Sequence, residues 1–377
     1  MNFIKAKVAR LRRGFGGQPR QKMKVLVGMS GGVDSSVAAA LLVRQGYEVT
    51  GGFIKNWSDS KDFWTGECQW RGERRDAMRV AAALGITLVT FDFEKEYKSR
   101  VIDRMFREYE AGITPNPDVL CNEEIKFGLF FEKAMKRGFD FVATGHYAQI
   151  RRGRKGVAHL LRGKDPLKDQ AYFLYRLKQE VLKKVLFPVG HLKKTDVRRK
   201  AEKWKLPTAH KPDSQGICFV GKLDFHKFLR KKIKERPGEI VTIEGKVVGR
   251  HDGLDAFTIG QRQGLLVSKD REAWYVAAKD REKNQILVVP KRDHPLLFKK
   301  TATINDVNWI TGKPPDRHRV DVMIRYRQKP EIARLFKLHD HRYKLEFKHP
   351  VWALAPGQSA VLYQGKECLG GGFIMES

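Results

Sequence analysis

The 377-residue chain contains little cysteine, and its cysteines form no recognisable scaffold pattern. The four cysteines, none of which belongs to a C-x-x-C pair, are Cys68, Cys121, Cys218 and Cys368. Secreted disulfide frameworks are dense in cysteine, and zinc and iron–sulfur sites use closely spaced pairs. We therefore expect neither a disulfide framework nor a bound metal cluster. The pattern favours a reducing, cytoplasmic compartment in which a functional cysteine acts through its reactivity.

Acidic residues and long apolar runs are also scarce. Asp and Glu number 43 against 74 Lys and Arg, which gives a formal net charge of +31. No apolar run approaches transmembrane length and no long basic amphipathic helix is evident, so we expect no membrane partner. The charge predicts a polyanionic partner, with nucleic acid the leading class; solvated lysine-rich helix faces are the alternative.

The N-terminal residues 1–22 are basic and lack the apolar core of a signal peptide. We interpret this segment as a disordered basic arm, and an organelle transit segment is the alternative.

A glycine-rich turn follows the first apolar run. The strand-like segment Lys24–Met29 leads into Ser30-Gly31-Gly32-Val33-Asp34-Ser35, and an alanine-rich helical segment follows. Glycine permits a tight turn and a close approach to a ligand. The start of a helix directs N–H groups and the positive end of its dipole at the loop. The turn therefore predicts a phosphate-binding loop, although no Gly-Lys-Ser/Thr closes it as in a Walker loop. An ordinary strand–helix turn capped by Ser or Asp is the alternative.

Strand-like and helical segments alternate through the first 140 residues. The strand candidates are Lys24–Met29, Tyr47–Lys55, Ile86–Phe93 and Asp140–Thr144. The helix candidates are Ser35–Gln45, Gly72–Leu84, Lys95–Ala111 and Asn122–Arg137. Such alternation predicts an α/β fold with a doubly wound parallel sheet, which binds ligands at the carboxyl ends of its strands. The glycine-rich loop and Thr144–Tyr147 both lie at such ends.

The texture of the chain changes after residue 221. Residues 172–209 still show helical spacing, and a basic helix is predicted over Asp224–Lys234. Short strands with turn signals follow, and from about residue 290 they predict a small antiparallel barrel or sandwich. We therefore predict a catalytic domain over 23–222, a small central domain over 223–288 and a C-terminal β-barrel over 289–377.

Two cysteines lie in polar segments that suit thiol chemistry. The prolines around Asn116-Pro117-Asp118 stiffen a loop, and Cys121 follows at the predicted start of a helix, which would lower the pKa of its thiol. Cys218 lies in a glycine-containing loop. A small buried hydrophobe is the alternative for each, and it is our interpretation of Cys68 and Cys368.

Taken together, the motifs resemble the tRNA-specific 2-thiouridylases, the tRNA-uridine 2-sulfurtransferases within the PP-loop ATP pyrophosphatases. The resemblance runs in order from about Lys24 to the C-terminus. It is carried by Gly28–Ser35, Lys55-Asn56-Trp57, Thr114–Asp118 with Cys121-Asn122, Ala143–Ala148, Lys168-Asp169-Gln170, Asp213-Ser214 with Gly216–Phe219, Thr258–Arg262, Arg325-Tyr326 and Pro356–Ala360.

The resemblance implies that ATP, with Mg²⁺, activates the C2 oxygen of the wobble uridine at tRNA position 34 by adenylation. Pyrophosphate is released, and sulfur then replaces the oxygen as AMP leaves. By resemblance the ATP contacts are Gly28, Met29, Ser30, Gly31, Gly32, Val33, Asp34, Ser35, Ile54 and Gly145. Ile54 stands where the family commonly has methionine, which matters little if that contact is through the backbone.

The resemblance also assigns roles to the two cysteines and to Asp118. Cys218 would carry a persulfide received from a cysteine desulfurase or a sulfur-relay protein. Cys121 would be the second nucleophile, leaving a transient Cys121–Cys218 disulfide. Alternatively, Cys121 would free hydrosulfide from Cys218, and the hydrosulfide would attack. Asp118 would be the general acid/base, for which helix N-capping is the alternative role.

The implied tRNA contacts fall in several separate motifs. They are Asn116, Pro117, Asp118, His146, Lys168, Asp169, Gln170, Arg325, Tyr326 and Gln358. Gln215 departs from the small hydroxyl residue expected beside Cys218.

Two alternatives are another tRNA-modifying ATP pyrophosphatase and a protein without catalytic activity. A lysidine synthetase would not need the loop cysteines, and a 2-thiocytidine synthetase would use a C-x-x-C pair. A non-catalytic basic RNA-binding protein would turn over no ATP and would tolerate Cys218→Ser.

The charge predicts that binding of tRNA depends steeply on salt, because each neutralised phosphate releases counterions. Affinity measured at increasing salt is expected to fall strongly. Binding that hardly changes between low and moderate salt would contradict the electrostatic account.

Overall fold

The computed structural model describes residues 22–58, 68–153, 156–213, 225–230, 232–267 and 273–375. The predicted basic arm, apart from its last residue, and the loop of Gln215 and Cys218 lie outside these residues. The described parts form a parallel α/β sheet with helices, a small central sheet and a C-terminal barrel, so the predicted fold class is confirmed.

Seven strands lie in the first part of the chain. They are β1 Lys24–Gly28, β2 Glu48–Lys55, β3 Leu88–Asp92, β4 Phe141–Ala143, β5 Ala148–Arg152, β6 Ala158–Arg162 and β7 Val185–Leu186. Five of them form an entirely parallel sheet in the order β3-β2-β1-β4-β7. The four strands predicted up to Thr144 are all present, shortened by one to three residues.

The helices flank this sheet. They are α1 Val33–Arg44, α2 Gln69–Leu84, α3 Glu94–Tyr97, α4 Asp103–Glu110, α5 Pro117–Leu120, α6 Phe130–Lys136, α7 Gln179–Leu182 and α8 Lys194–Lys203. Segments of π-helix, Lys98–Ile102 and Cys121–Leu129, connect α3 to α4 and α5 to α6. The four predicted helices therefore exist, two of them interrupted by a π-helical segment.

Both faces of the sheet are covered, which explains why β1 is apolar from Val25 to Val27. Val25 and Val27 pack in a cluster with α1 and α2, while Leu26 packs in the large core on the other face. All three side chains are fully buried. Burial of each such side chain contributes about 1.5–3 kcal/mol.

The helical prediction over residues 172–209 is wrong in part. A short apolar run, Val185–Leu186, forms β7 and pairs with β4. Helical spacing does not distinguish a two-residue edge strand from a turn of helix, and Pro188 ends the run soon after. The regular helix in this region is α8, whose Val197 and Ala201 pack against α1.

The hairpin of β5 and β6 was not predicted, and it ties the first domain to the last. Its strands pair antiparallel with each other, and β6 continues into the C-terminal sheet through Leu160 and Leu161. A sheet is thus shared between segments that are distant along the chain.

The central domain contains one short helix and a five-stranded sheet. The helix is α9 Phe225–Arg230, and the strands are β8 Gly238–Val241, β9 Val247–His251, β10 Leu266–Val267, β11 Trp274–Asp280 and β12 Gln285–Pro290. Their order is β10-β9-β8-β12-β11. The observed α9 lies within the predicted basic helix Asp224–Lys234.

The C-terminal strands close into a barrel rather than a sandwich. They are β13 Phe298–Trp309, β14 Arg319–Met323, β15 Glu331–Lys337, β16 Tyr343–Trp352, β17 Ser359–Gln364 and β18 Glu367–Ile374. They pair in the order β13-β16-β15-β14-β17-β18, and β18 returns to β13. Closure removes the exposed edges, and alternate residues such as Val320 and Val322 fill the interior. No helix among the described residues has the length and apolarity needed to cross a membrane.

We predict that Gly357→Ala destabilises the protein more than Gly365→Ala does. Both glycines have positive φ, +85° and +60°. A Cβ at Gly357 would overlap Ile113 and lie 2.9 Å from the Thr114 carbonyl oxygen, whereas nothing lies within 4 Å at Gly365. We expect a loss of about 1 kcal/mol at Gly365 and about 2–4 kcal/mol at Gly357. Thermal unfolding measures both, and equal shifts in melting temperature would contradict the close approach of these segments.

Candidate functional site

The glycine-rich loop lies at the carboxyl end of β1 and begins α1. Gly31 has φ +71°, and a Cβ on it would overlap the Glu73 carbonyl oxygen. Gly32 is the N-cap of α1 and makes no side-chain capping bond. The first N–H groups of α1 are thus not capped by a side chain at that position, in contrast to the alternative of a Ser- or Asp-capped turn. An oxyanion is the ligand that such a helix start favours.

The other predicted ATP contacts surround the same loop. Gly145 follows β4 in the chain. It approaches the start of α1 so closely that a Cβ on it would lie 2.7 Å from the Ser35 backbone nitrogen. Ile54 lies near the end of the neighbouring strand β2, and its side chain is buried in the core. The ten predicted ATP residues therefore lie at the carboxyl ends of β1, β2 and β4. Since the Ile54 side chain packs inward, its departure from methionine leaves a backbone contact unaffected.

Asp34 is held by two side chains that are not among the predicted site residues, although Tyr147 belongs to a motif that the sequence singled out. Its Oδ1 accepts a hydrogen bond from the Tyr147 hydroxyl at 2.7 Å. Lys194 Nζ donates to Oδ1 at 2.7 Å and to Oδ2 at 2.8 Å. The same ammonium group lies 2.8 Å from Asp213 Oδ1, so Lys194 bridges two carboxylates.

Asp213 collects three basic side chains. Lys168 Nζ lies 2.7 Å from its Oδ2, and Arg198 Nη2 lies 2.7 Å from its Oδ1, in addition to Lys194. Partial burial raises the pKa of Asp213, but the hydrogen bonds from Lys168 and Lys194 outweigh it and lower the pKa to about 2. Asp213 is thus ionised at neutral pH. It is also the last described residue before the segment that contains Cys218.

The sequence singled out Lys168 and Asp213 but missed Lys194 and Arg198. Both missed residues lie on α8, at its first position and one turn later. They stand in a run of basic residues, and nothing local distinguishes them from solvated charges. The only signal was that a helix begins soon after a strand of the parallel sheet.

The segment Asn116–Cys121 begins a helix and is held by the barrel. Asn116 is the N-cap, its side chain accepting from the Val119 N–H at 3.3 Å, and Pro117 occupies the first helical position. Gln358 Nε2 donates to the carbonyl oxygens of Thr114 and Pro115 at 3.0 and 3.1 Å. The capping role considered for Asp118 therefore belongs to Asn116. The predicted contact Gln358 is the side chain that holds this loop from the barrel.

The position predicted for Cys121 requires a correction. The helix begins at Pro117, so Cys121 lies one turn inside it, where the chain continues as π-helix. Its side chain is fully buried in the core. Because the dipole effect is confined to the first turn, the helix N-terminus is not a reason for a lowered pKa of this thiol. The Cys121–Cys218 pairing itself involves a residue outside the described part of the chain.

Three of the predicted tRNA contacts make internal hydrogen bonds near the loop. The buried His146 ring lies with Nδ1 2.7 Å from Thr144 Oγ1, and burial lowers its pKa well below the usual value. Asp169 Oδ1 accepts from the backbone N–H groups of residues 163 and 171 at 2.9 and 3.1 Å. Gln170 Oε1 accepts from the Tyr147 N–H at 3.0 Å. These residues position the backbone around the loop, and their contact with tRNA stays a prediction.

Arg325 and Tyr326 lie where the three domains meet. Arg325 Nη2 donates to the carbonyl oxygens of Ile259 and Ala353 at 2.7 and 3.0 Å, which ties the central domain to the barrel. The Tyr326 ring packs on Phe173, with centroids 4.5 Å apart. Arg325 and Tyr326 are thus placed at boundaries between domains, whereas His146, Asp169 and Gln170 lie near the loop.

The cysteines interpreted as structural lie in different settings. Cys368 is fully buried, and burial raises the pKa of its thiol to about 12. Cys68 Sγ donates to the Ser58 carbonyl oxygen at 2.8 Å. A thiol with a raised pKa is a poor nucleophile at neutral pH, so the interpretation suits Cys368 well.

Glu73 is a further residue at the loop that the sequence did not indicate. Its backbone oxygen lies against Gly31, and burial raises the pKa of its carboxyl group to about 7, with Lys211 opposing the shift. Lys211 instead pairs with Asp76 at 2.6 Å, one turn further along α2. A residue whose carboxyl pKa is raised to about 7 therefore packs through its backbone against the candidate phosphate loop.

Family models match three successive parts of the chain. They are described as a tRNA methyl transferase HUP domain over residues 23–222, a tRNA methyl transferase PRC-barrel domain over 226–290 and an aminomethyltransferase beta-barrel domain over 299–374.

Curated relatives match almost the whole length of the chain. A protein of Methylobacillus flagellatus named tRNA-specific 2-thiouridylase MnmA is 49% identical over 358 residues, 94% of this chain and 99% of its own. A protein of the same name from Neisseria meningitidis serogroup B is 48% identical, covering 93% and 95%. An NMN synthetase structure from Francisella tularensis has a TM-score of 0.34 at 18% identity, covering 55% of this chain and 72% of that one. A TM-score that low supports no conclusion about this chain.

We predict that Glu73→Gln changes how stability depends on pH. The raised pKa means that the native state holds a proton that the unfolded state releases above about pH 4.3. The native carboxyl group therefore costs stability progressively as pH rises from about 4.3 to 7. The variant should match the wild type at pH 4 and be more stable at pH 8, as measured by denaturant unfolding. Glu202→Gln, on the exposed part of α8, controls for loss of charge. A difference between wild type and Glu73→Gln that stays constant across this range would contradict the assignment.

Proposed function

Because the chain belongs to the tRNA-specific 2-thiouridylase family and is thus a tRNA sulfurtransferase, we propose that it converts uridine 34 of tRNA to 2-thiouridine, using ATP and a protein persulfide. The observation that carries the proposal is the bridge from Asp34 through Lys194 to Asp213. It connects the candidate phosphate loop to the segment that leads to Cys218, as a reaction that joins ATP activation to sulfur transfer requires.

The first step of the proposed reaction is adenylation of the base. The C2 oxygen of uracil attacks the α-phosphorus of MgATP, and pyrophosphate leaves. The loop from Gly28 to Ser35 would hold the phosphates through its backbone N–H groups and the start of α1. Two geometric observations support this phosphate site. A side chain at Gly31 would overlap the Glu73 backbone, and Gly32, the N-cap of α1, makes no side-chain capping bond. Lys194 adds a positive charge beside Asp34, where the phosphates and Mg²⁺ of the substrate would compete for both groups.

The second step moves sulfur. The terminal sulfur of the Cys218 persulfide attacks C2 and displaces AMP, which leaves the base joined to Cys218 through a disulfide. The Cys121 thiolate then attacks the Cys218 Sγ, so that 2-thiouridine leaves and a Cys121–Cys218 disulfide forms. A cellular dithiol restores both thiols. In the alternative order, Cys121 attacks first and releases hydrosulfide, which displaces AMP. The sulfur comes from a cysteine desulfurase or a sulfur-relay protein.

The base pocket is proposed at the start of α5. Asn116 and Pro117 shape it, and Asp118 in the first helical turn acts as general acid/base on the uracil. Gln358 supports this segment from the barrel through Thr114 and Pro115. Cys121 is buried below the pocket, so its attack on Cys218 requires the segment to rearrange when substrate binds.

The remaining tRNA contacts are proposed at two places: His146, Lys168, Asp169 and Gln170 around the phosphate loop and Asp213, and Arg325 and Tyr326 at the domain boundaries. Lys168 is the one among them that carries a charge paired with Asp213. Binding of a tRNA phosphate by Lys168 would loosen that pair and alter the anchoring of the Cys218 segment.

The test is nucleoside analysis of tRNA incubated with the protein, MgATP, a cysteine desulfurase and cysteine. We expect 2-thiouridine at position 34 with the wild type, and background levels with Cys218→Ser and Cys121→Ser. Cys68→Ser is the matched control, because its hydroxyl can keep the bond to Ser58. It should retain activity.

Each other outcome contradicts a different part of the proposal. Release of AMP without thiolation in the presence of the donor would leave ATP activation intact and overturn the product. Thiolation that survives Cys218→Ser would overturn the persulfide role. Neither AMP nor 2-thiouridine would favour the non-catalytic RNA-binding protein.

A further inference from the structure

A cavity of about 570 Å³ with charged residues in its lining lies between the first domain and the barrel. One wall is formed by the segment after β6, including Lys164, together with His191. The other wall is the turn between β17 and β18, with Lys366. Arg162 and Asp169 form the floor.

One backbone hydrogen bond joins the two walls, and another fixes the wall that carries Lys164. The Arg162 N–H donates to the Lys366 carbonyl oxygen at 2.8 Å, and the Lys164 N–H donates to the Gly190 carbonyl oxygen at 2.9 Å. The backbone of Lys366 is therefore fixed across the domain boundary and that of Lys164 within the first domain, while both side chains are exposed. The cavity does not depend on the placement of flexible side chains alone.

The cavity lining is strongly positive. Arg162, Lys164 and Lys366 bring three positive charges to a lining with a single carboxylate, Asp169, whose Oδ1 already accepts two backbone N–H groups. Arg162 lies 3.8 Å from Asp169 Oδ2 and stacks over the Tyr363 ring, so it supplies charge from below. Among the described residues, neither Lys164 nor Lys366 forms an ion pair. Burial, together with Lys164 and Lys200, lowers the pKa of His191, which is consistent with this positive surrounding.

Asp169 in the cavity lining is connected to the phosphate loop through its neighbour in the chain and Tyr147. Asp169 is followed by Gln170, which exchanges hydrogen bonds with the Tyr147 backbone, and the Tyr147 hydroxyl donates to Asp34. The cavity is therefore close enough to the candidate active site for both to contact one bound tRNA. Paired lysines unmatched by acids suit phosphate groups, the commonest anions of a nucleic acid surface.

We propose that this cavity binds a backbone phosphate of the tRNA through Lys164 and Lys366. The inference rests on the proposed function, since it assumes tRNA as the substrate, and it assigns a site to part of the positive charge. Because one side chain comes from each domain, a bound phosphate also joins the barrel to the first domain. The contact carries no base information, so it acts equally on all tRNA substrates.

The test measures affinity for a fluorescent unmodified tRNA transcript as a function of salt. The proteins are the wild type, Lys164→Gln, Lys366→Gln, the double variant, and Lys337→Gln as control. Lys337 is an exposed lysine on β15, which is adjacent to neither β17 nor β18 and so tests the same loss of charge elsewhere. Melting temperatures check that each variant folds.

Loss of one phosphate contact should reduce the slope of log affinity against log salt by about 0.9, which is about eightfold weaker binding at about 0.1 M salt. We expect this of the double variant, a smaller effect of each single variant and little effect of Lys337→Gln. Affinity for ATP should be the same in all five proteins. A double variant that behaves like Lys337→Gln, while the wild type binds tRNA, would overturn this inference and leave the proposed function intact.

Two other results would also overturn it. An unchanged salt slope with weakened binding of ATP by the double variant would assign the cavity to free nucleotide. A wild type that binds no tRNA would reject the proposed function, and the cavity assignment with it.

Discussion

The ammonium group of Lys194 between Asp34 and Asp213 is the contact on which the rest of the candidate site depends. Without it, two carboxylates would face each other beside a loop suited to phosphate, and their repulsion would separate the segments that carry them. The lysine side chain is largely buried, so water screens the bridge only weakly. Because Lys168 and Arg198 add further positive charge at Asp213, the last described residue before the Cys218 segment is held from three directions.

This arrangement also explains how ATP could be linked to sulfur transfer. Lys194 neutralises Asp34 in the described structure, and the phosphates of the substrate would attract that ammonium group while Mg²⁺ would attract the Asp34 carboxylate. A change of charge at the loop therefore changes the partners left to Asp213. In the same way, Lys168 would exchange its carboxylate for a phosphate when RNA arrives. The bridge connects the candidate phosphate loop to the last described residue before Cys218, and it is made by side chains from three separate segments.

The barrel supports the candidate active site mainly through backbone contacts and strand pairing. Gln358 holds the loop before α5, Arg325 joins the barrel to the central domain, and β18 continues into the β5–β6 hairpin. These contacts are made largely with backbone carbonyl oxygens or through strand pairing, which constrain position without depending on the identity of the partner side chain. They explain how a small C-terminal barrel shapes a site formed mainly by the first domain.

The sequence by itself determined the parallel sheet, the phosphate-loop candidate and the barrel. Each rests on information local to a few residues: the positive φ that suits Gly31, the helix start at Val33 and the apolar runs of β1 to β4. The same local reasoning placed Cys121 at a helix start, because it could not tell that Asn116 and Pro117 begin the helix one turn earlier. Only the tertiary structure decided that Lys194 meets Asp34 and Asp213, that Glu73 lies under Gly31, and that β6 joins β18. Such contacts arise when segments far apart in the chain pack against one another. A lysine or a glutamate that will be buried looks, in the sequence, like any solvated charge.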